Sequence, residues 1–101
     1  MSQGRSLRSE WVSLYTDEYS DEIGYKLAKL KKRNPEQYSI VRKKMGWILE
    51  NPRHRYKFLS EDMKGLNRIH FGHFVLVFSI NHEKKLVSFE DYDHHDKVYL
   101  K

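Results

Sequence analysis

The sequence predicts an α+β fold in which a two-helix hairpin packs on one face of a small, mainly antiparallel twisted sheet, in the order β-α-α-β-β-β. Phe74–Ile80 is an apolar run rich in β-branched and aromatic residues, which favours a buried strand. Leu66–Phe71 alternates in side-chain direction, and Gly72 can supply the positive φ of the hairpin turn between the two strands. Two earlier segments repeat apolar residues with the 3.6-residue period of helices.

The first part of the chain is predicted to form a strand and a turn. Ser9–Tyr15 places apolar residues among polar neighbours and is predicted to form the first strand. The acidic segment Thr16–Glu22 is predicted to form a turn, in which Ser20 or Asp21 caps the following helix. The chain is expected to fold as one domain over residues 1–101, with a flexible segment at residues 1–8.

The two helices are predicted from their apolar stripes and from the Asn-Pro pairs that end them. The stripe of the first helix consists of Ile23, Leu27 and Leu30. The second helix, Glu36–Glu50, has a stripe of Tyr38, Val41, Met45, Ile48 and Leu49. These residues and both tryptophans, Trp11 and Trp47, are expected to pack in the interior.

The remaining elements complete the sheet. Arg53–Leu59 is a basic and aromatic segment that alternates like a strand at its end, and Ser60–Gly65 is predicted to be a loop. After the hairpin, Asn81–Lys84 is predicted to form a turn and Lys85–Glu90 the last strand. The sheet face opposite the helices is expected to be open.

Composition limits the class of protein. The chain has 101 residues and no cysteine, which excludes disulfides and thiol chemistry. Its apolar runs fall short of the roughly 18 residues of a membrane span, and its polar start lacks the apolar core of a signal peptide. We therefore expect a cytoplasmic protein with no membrane partner.

Charge is concentrated in the middle of the chain. The net charge is +5, but residues 24–57 carry eleven lysines and arginines against two glutamates, whereas the remainder carries eight basic and twelve acidic residues. A basic middle indicates binding to a polyanion or to an acidic protein, although a lysine-rich solvated helix face gives the same pattern. On the predicted hairpin, Arg68 and His70 project side by side, which is typical of a phosphate-handling surface, although an exposed arginine and histidine at a sheet edge are also commonly just solvated.

The pattern L-x(3)-M-K-G-L-x-R-I-H-F-G-x-F-V-L-V-F, followed by D-Y-D-H-H-D-K-V-Y, resembles the RelE/ParE superfamily of toxins. The resemblance spans about Trp11 to Tyr99 and is closest to the RelE and YoeB types. It implies a ribosome-dependent endoribonuclease that uses neither metal nor other cofactor, in which an mRNA 2′-hydroxyl attacks the adjacent phosphorus. The catalytic positions that it implies are Arg68, His70, His94, His95 and Tyr99.

Basic residues near these positions are predicted to bind RNA by charge. They are Arg53, Arg55, Lys57, Lys64, Lys43 and Lys44. The chain departs from the family pattern at two places: Val75 stands where RNA-cleaving members commonly carry an arginine, and acids flank the histidines in Asp93–Asp96.

The resemblance also implies partners and leaves alternatives. The partners are a RelB-like acidic antitoxin that wraps the basic helices, the ribosome and mRNA. One alternative is a ParE-like toxin that binds DNA gyrase, and another is a catalytically weak relative that binds only antitoxin or RNA. A third is a metal site, because histidines and acids are close in the sequence: His70, His73, His94, His95, Asp93 and Asp96.

Overall fold

The computed structural model describes residues 15–60, 62–63 and 65–100, without the side chains of Tyr99 and Leu100. The elements in this part of the chain are β1 (Thr16–Tyr19), α1 (Asp21–Arg33), α2 (Pro35–Glu50), β2 (Lys57–Phe58), β3 (Asn67–Phe71), β4 (Phe74–Asn81), β5 (Leu86–His94) and α3 (His95–Leu100). The strands form one sheet in the order β1-β5-β4-β3-β2. Strand β1 runs parallel to β5, and the other neighbours are antiparallel. The predicted fold class is therefore confirmed.

Local hydrogen bonds at their first residues explain where the two long helices begin. Ser20 caps α1 by accepting the backbone N–H of Ile23 at 3.0 Å, as one of the two predicted caps. Asn34 caps α2 by accepting the N–H of Gln37 at 3.1 Å, and Pro35 occupies the first turn. Within the described residues, no helix is both long and apolar enough to cross a membrane.

The main core lies between these helices and one face of the sheet. Side chains from α1 and α2 meet those of β4 and β5 and lose nearly all contact with solvent. Its fully buried members are Ile23, Val41, Met45, Ile48, Leu76, Phe78, Val87 and Phe89. The stripes predicted from the helical period therefore face the sheet, and burial of this apolar area stabilises the layered arrangement.

Strand β4 is buried over Val75–Phe78, as predicted, and both of its faces are covered there. Its alternate residues Val75 and Val77 pack with Leu59 and with Val98 of α3 in a second, smaller cluster. This face is therefore covered at β4, contrary to the prediction that it is open, whereas His70 on the same face of β3 is exposed. A six-residue helix is too short to show a readable period, and its contacts with the sheet stabilise it.

The strand assignments at the edge of the sheet needed two corrections. Residues 9–14 of the predicted first strand lie outside the described residues, as does the segment 1–8, and the strand that is observed is Thr16–Tyr19, within the predicted turn. Its side chains are mostly exposed, so backbone pairing with β5 rather than side-chain burial defines it. Strand β5 extends beyond Glu90 to His94 because it pairs with β4 along its whole length.

The β3–β4 hairpin turns at Gly72, whose φ of +63° confirms the predicted positive value. The pairing of Phe71 with Phe74 closes the turn and sets the register of the two strands. This register fixes which side of the sheet displays Arg68 and His70.

Candidate functional site

Arg68 and His70 lie on β3, where they occupy alternate positions and project from the same side. Arg68 Nη1 donates a hydrogen bond to His70 Nδ1 at 3.2 Å, and Arg68 Nε donates to the backbone carbonyl of Phe58 at 2.9 Å. Because a guanidinium can only donate, His70 Nδ1 must be the acceptor in this arrangement. Two hydrogen bonds thus hold the guanidinium between edge strand β2 and the imidazole.

The C-terminal histidines lie where β5 ends at His94 and α3 begins at His95. The backbone N–H of His95 donates to the carbonyl of His73 at 2.8 Å, which fixes the start of α3 against the β3–β4 turn. The His94 ring stacks on that of His73 with centroids 5.8 Å apart and lies 5.0 Å from the His95 ring. Three imidazoles therefore meet at this end of the sheet, and one of them, His73, is not among the predicted catalytic residues.

The charges of Arg68 and of the tail residue His95 both act on His70. Partial burial, followed by the charges of Arg68, His95 and Lys57, lowers the pKa of His70 from its ordinary value of 6.5. The effect of His95 indicates that the tail imidazole lies close enough for protonation of one ring to disfavour protonation of the other. The structure thus places Arg68 and His70 in direct contact, and the charge of His95 also acts on His70.

The effect of Arg68 on the pKa of His70 can be tested by titration. We expect NMR titration of the imidazole protons to give His70 a pKa below 6.5, and Arg68→Gln to raise it, because the substitution removes a nearby positive charge. The folded state disfavours protonation of this ring, so the stability contributed by His70 falls as pH decreases from the unfolded pKa through the folded value. Arg33→Gln, at an exposed position in α1, is the matched control and should leave the His70 titration unchanged. Equal His70 pKa values in Arg68→Gln and wild type contradict this prediction.

Lys26 anchors the end of β5 to α1. Its Nζ atom donates to Asp91 at 2.8 Å and to Asp93 at 2.7 Å, and lies 3.1 Å from Glu22. Although partial burial by itself lowers the pKa of Lys26, hydrogen bonds to the three carboxylates outweigh it and raise that pKa above its ordinary value. Asp93 also accepts the backbone N–H of His94 at 2.7 Å, so the anchor reaches the residue where the tail histidines begin.

We expect Lys26→Met to lower the free energy of unfolding at pH 7 by about 2 kcal/mol, because it leaves two partly buried carboxylates without their cation. Partial burial alone would raise the pKa of Asp93, but Lys26 and the His94 N–H lower it. The stability from Asp93 is therefore present above the unfolded pKa near ~4 and is lost as pH falls through the lower folded value. Urea denaturation should show that the difference in free energy of unfolding between wild type and Lys26→Met is smaller at pH 3 than at pH 7. Lys32→Met, at an exposed site on α1, is the control and should match wild type at both pH values. If the difference in free energy of unfolding is the same at pH 3 as at pH 7, the stabilising role given to the contacts of Lys26 with the carboxylates is contradicted.

A groove of about 470 Å³ lies beside Arg68 and combines cations with aromatic rings. It is lined by Lys44, Trp47, His54, Arg55, Tyr56, Lys57, Arg68 and Ile69. The Lys44 ammonium lies 4.6 Å from the centre of the Trp47 ring, and His54 meets that ring edge-on at 5.1 Å. Trp47 is 38% exposed, so the expectation that it packs in the interior is wrong. Cations beside exposed rings are typical of surfaces that bind single-stranded nucleic acid.

The groove contains half of the predicted RNA-binding residues, namely Lys44, Arg55 and Lys57. Arg53 and Lys43 are exposed but are not among its lining residues. Lys64 and the side chain of Tyr99 lie outside the described residues. Sequence reasoning missed the rings of the groove, although the basic and aromatic composition of residues 53–59 could have indicated them.

Of the six residues considered as metal ligands from the sequence, only some lie close enough together to bind one ion. Among the described residues, His94, His95 and Asp96 can each bring one ligand atom within 4.8 Å of the others. Asp93 is engaged by Lys26, and His70 by Arg68. The residues able to hold a metal together therefore lie at the β5–α3 junction.

Comparison with known proteins found no matching family model. The chain is 38% identical over 89 residues to a protein named "Putative toxin RelE4" from Methanocaldococcus jannaschii, covering 87% of this chain and 94% of that protein. It is 49% identical over 87 residues to an uncharacterized protein of Methanosarcina mazei, covering 85% of this chain and 100% of that protein. The toxin–antitoxin complex RelBE2 from Mycobacterium tuberculosis contains a similar fold, with a TM-score of 0.65, 23% identity, and 79% of this chain and 90% of that chain covered. The chain belongs to the RelE family of toxins.

Proposed function

We propose that this protein is the toxin of a toxin–antitoxin pair and an endoribonuclease that cleaves mRNA on the ribosome in the cytoplasm. The observation that carries the proposal is the direct contact between Arg68 and His70 on β3, in which the guanidinium donates to the imidazole at 3.2 Å. Guanidinium and imidazole are the groups that phosphoryl transfer to an internal hydroxyl requires, because one binds the phosphate and the other moves protons.

The proposed reaction is attack of an mRNA 2′-hydroxyl on the adjacent phosphorus. A base takes the 2′-hydroxyl proton, the 2′-oxygen–phosphorus bond forms, and the bond from phosphorus to the 5′-oxygen breaks. An acid gives a proton to the departing 5′-oxygen, so the products are a 2′,3′-cyclic phosphate and a 5′-hydroxyl. No water and no redox step enters this balance.

The site residues suit these roles. His70 has a lowered pKa, so at neutral pH its ring is in the form that accepts a proton. When Arg68 turns from His70 Nδ1 to a phosphoryl oxygen, that nitrogen is released to act as the base. His94 and His95 are proposed as acids. Asp96 Oδ1 lies 3.2 Å from His95 Nδ1 and can accept a hydrogen bond from that ring when it is protonated, whereas His94 Nδ1 accepts the Asp96 backbone N–H at 3.3 Å. Tyr99 is proposed to stack on a base, as the family resemblance implies.

The basic and aromatic groove is proposed to hold the RNA strand that leads to Arg68. Its cations would neutralise backbone phosphates, and Trp47 would stack on a base. The cognate antitoxin is proposed to be acidic and to wrap the basic helices, since lysines and arginines end α1 and recur along α2.

A charge-matched pair of double variants tests this RNA path. We expect Arg55→Ala with Lys57→Ala to weaken binding to a fluorescein-labelled RNA and to reduce the slope of log affinity against log salt by roughly 1.5, because two phosphate contacts are lost. Lys29→Ala with Lys32→Ala removes the same charge from exposed positions on α1 and should leave the slope nearly unchanged. Equal slopes in the two double variants, measured by anisotropy, contradict a defined groove.

One observation favours a second candidate, a relative that binds antitoxin or RNA with little catalysis. Val75 stands where the family's RNA-cleaving members commonly carry an arginine, and here it is fully buried with Leu59 and Val98. This position therefore cannot present a cation to the phosphate, and Arg68 and the imidazoles would have to act alone.

Primer extension on translating ribosomes tests the proposed function. Purified wild type and His70→Ala are added to ribosomes on a defined mRNA, and a parallel reaction contains DNA gyrase with supercoiled plasmid. Cuts within codons that require the ribosome and are lost in His70→Ala support the endoribonuclease. Gyrase-dependent DNA breaks with intact mRNA identify a ParE-like activity, and no cleavage in either reaction favours the binding-only candidate.

A further inference from the structure

The β5–α3 junction, formed by His94, His95 and Asp96, has the geometry of a transition-metal site. Asp96 Oδ2 lies 3.7 Å from His94 Nδ1, and Asp96 Oδ1 lies 3.2 Å from His95 Nδ1. In a tetrahedral zinc site with ligand bonds of about 2.0–2.2 Å, neighbouring ligand atoms are about 3.3–3.6 Å apart. The three ligand atoms lie within 4.8 Å of one another, so the side chains can hold one ion once they draw closer together.

His73 lies beside these three residues but is not in the group whose ligand atoms lie within 4.8 Å of one another. Its ring centre lies 5.8 Å from that of His94 and 6.3 Å from that of His95, and its backbone carbonyl is hydrogen bonded to the His95 N–H. Imidazole and carboxylate together are ligands that zinc accepts, and the imidazoles also suit nickel and copper. With three protein ligands, the fourth position of the site is left to water.

Solvent access and neighbouring contacts are compatible with binding. The His94 and His95 side chains are each 38% exposed and Asp96 is 68% exposed, so an ion can reach them directly from water. The contact to be given up is a long hydrogen bond of 3.3 Å from the Asp96 N–H to His94 Nδ1. Asp93 stays with Lys26 and fixes the backbone of His94.

We propose that this junction binds one divalent transition-metal ion, with zinc as the representative, and that the bound ion inhibits RNA cleavage. Zinc bound at Nδ1 occupies the lone pair that would otherwise take up a proton, so His94 and His95 cannot form the imidazolium ions that the proposed acids require. The binding half depends only on the junction, whereas the inhibitory half rests on the proposed function.

Isothermal titration of metal-free, untagged full-length protein with ZnCl₂ tests the binding half. We expect one ion per chain in wild type, and affinity at least about tenfold lower in His94→Ala, His95→Ala and Asp96→Asn, since each removes a ligand. His82→Ala is the matched control, because His82 lies in the turn at the opposite end of β5 and should leave zinc affinity unchanged. Circular dichroism verifies that each variant is folded. No saturable zinc binding in wild type, or an equal loss in His82→Ala, overturns the site.

Cleavage on ribosomes with and without zinc tests the inhibitory half. Zinc added in a molar excess of one equivalent over the protein should reduce the cleavage rate at least about tenfold, and EDTA should restore that rate. Mg²⁺ prefers oxygen ligands and should not inhibit cleavage. Zinc that binds at the junction without slowing cleavage overturns inhibition and leaves the site standing. Absence of cleavage in metal-free samples overturns the proposed function and the inhibitory half together, and the titration alone then decides the site.

Discussion

Arg68→Ala is expected to reduce the rate of mRNA cleavage by about 100- to 1,000-fold, the range seen when a single donor to a developing anion is removed. The guanidinium contributes twice, because it would bind the phosphoryl oxygens and because its Nη1 atom orients the His70 ring at 3.2 Å. Arg68→Lys should recover only part of the rate, since an ammonium cannot reproduce the planar paired donors of arginine. Single-turnover primer extension on ribosomes measures both variants.

The matched control for this experiment is Arg33→Ala, an arginine at the exposed end of α1 and outside the site. It removes the same charge and should leave the rate within about twofold of wild type, because exposed charges distant from a site are largely screened. Arg68 is only partly buried, so Arg68→Ala should unfold at nearly the wild-type temperature. Wild-type cleavage by Arg68→Ala contradicts the proposed role, and loss of structure by circular dichroism shows a stability effect instead.

Phe78→Ala is expected to lower the free energy of unfolding by about 3–5 kcal/mol, through lost burial and the cavity that remains. Phe78 is completely buried in β4, and its ring meets those of Tyr56 at 5.1 Å and Phe89 at 6.2 Å. Since small domains are stable by only about 5–15 kcal/mol, this one substitution removes a large share of the total. Urea denaturation followed by circular dichroism gives the difference.

Phe58→Ala is the matched control, because it removes the same side chain from edge strand β2, where Phe58 is 49% exposed. Its cost should stay below about 1 kcal/mol, since partial exposure leaves little transfer energy or cavity to lose. Similar losses in Phe58→Ala and Phe78→Ala contradict the described core. The Phe58 carbonyl that holds Arg68 is a backbone group, so the alanine variant keeps it.

Features fixed by local chemistry were predictable. Ser20 and Asn34 cap their helices with their own side chains, and Gly72 turns with the positive φ that its lack of a Cβ permits. The run in β4 is buried as its composition indicates, and strand periodicity alone places Arg68 and His70 on the same side of β3.

Features fixed by distant contacts were missed. Strand β1 is acidic and exposed, so only its parallel pairing with β5 identifies it. Helix α3 is short and is held by Val98 against β4, and Trp47 is exposed because the fold leaves it beside the groove rather than beneath the sheet.

The amino-acid sequence by itself determined the helical hairpin, the buried central strand and the pairing of Arg68 with His70, because each follows from periodicity within a single element. Only the tertiary structure decided that the tail histidines meet His73 and that His95 influences His70, because their positions depend on the register between β4 and β5 and on the short helix that follows. Register and helix docking are set by contacts between residues far apart in the chain, and no local pattern encodes them.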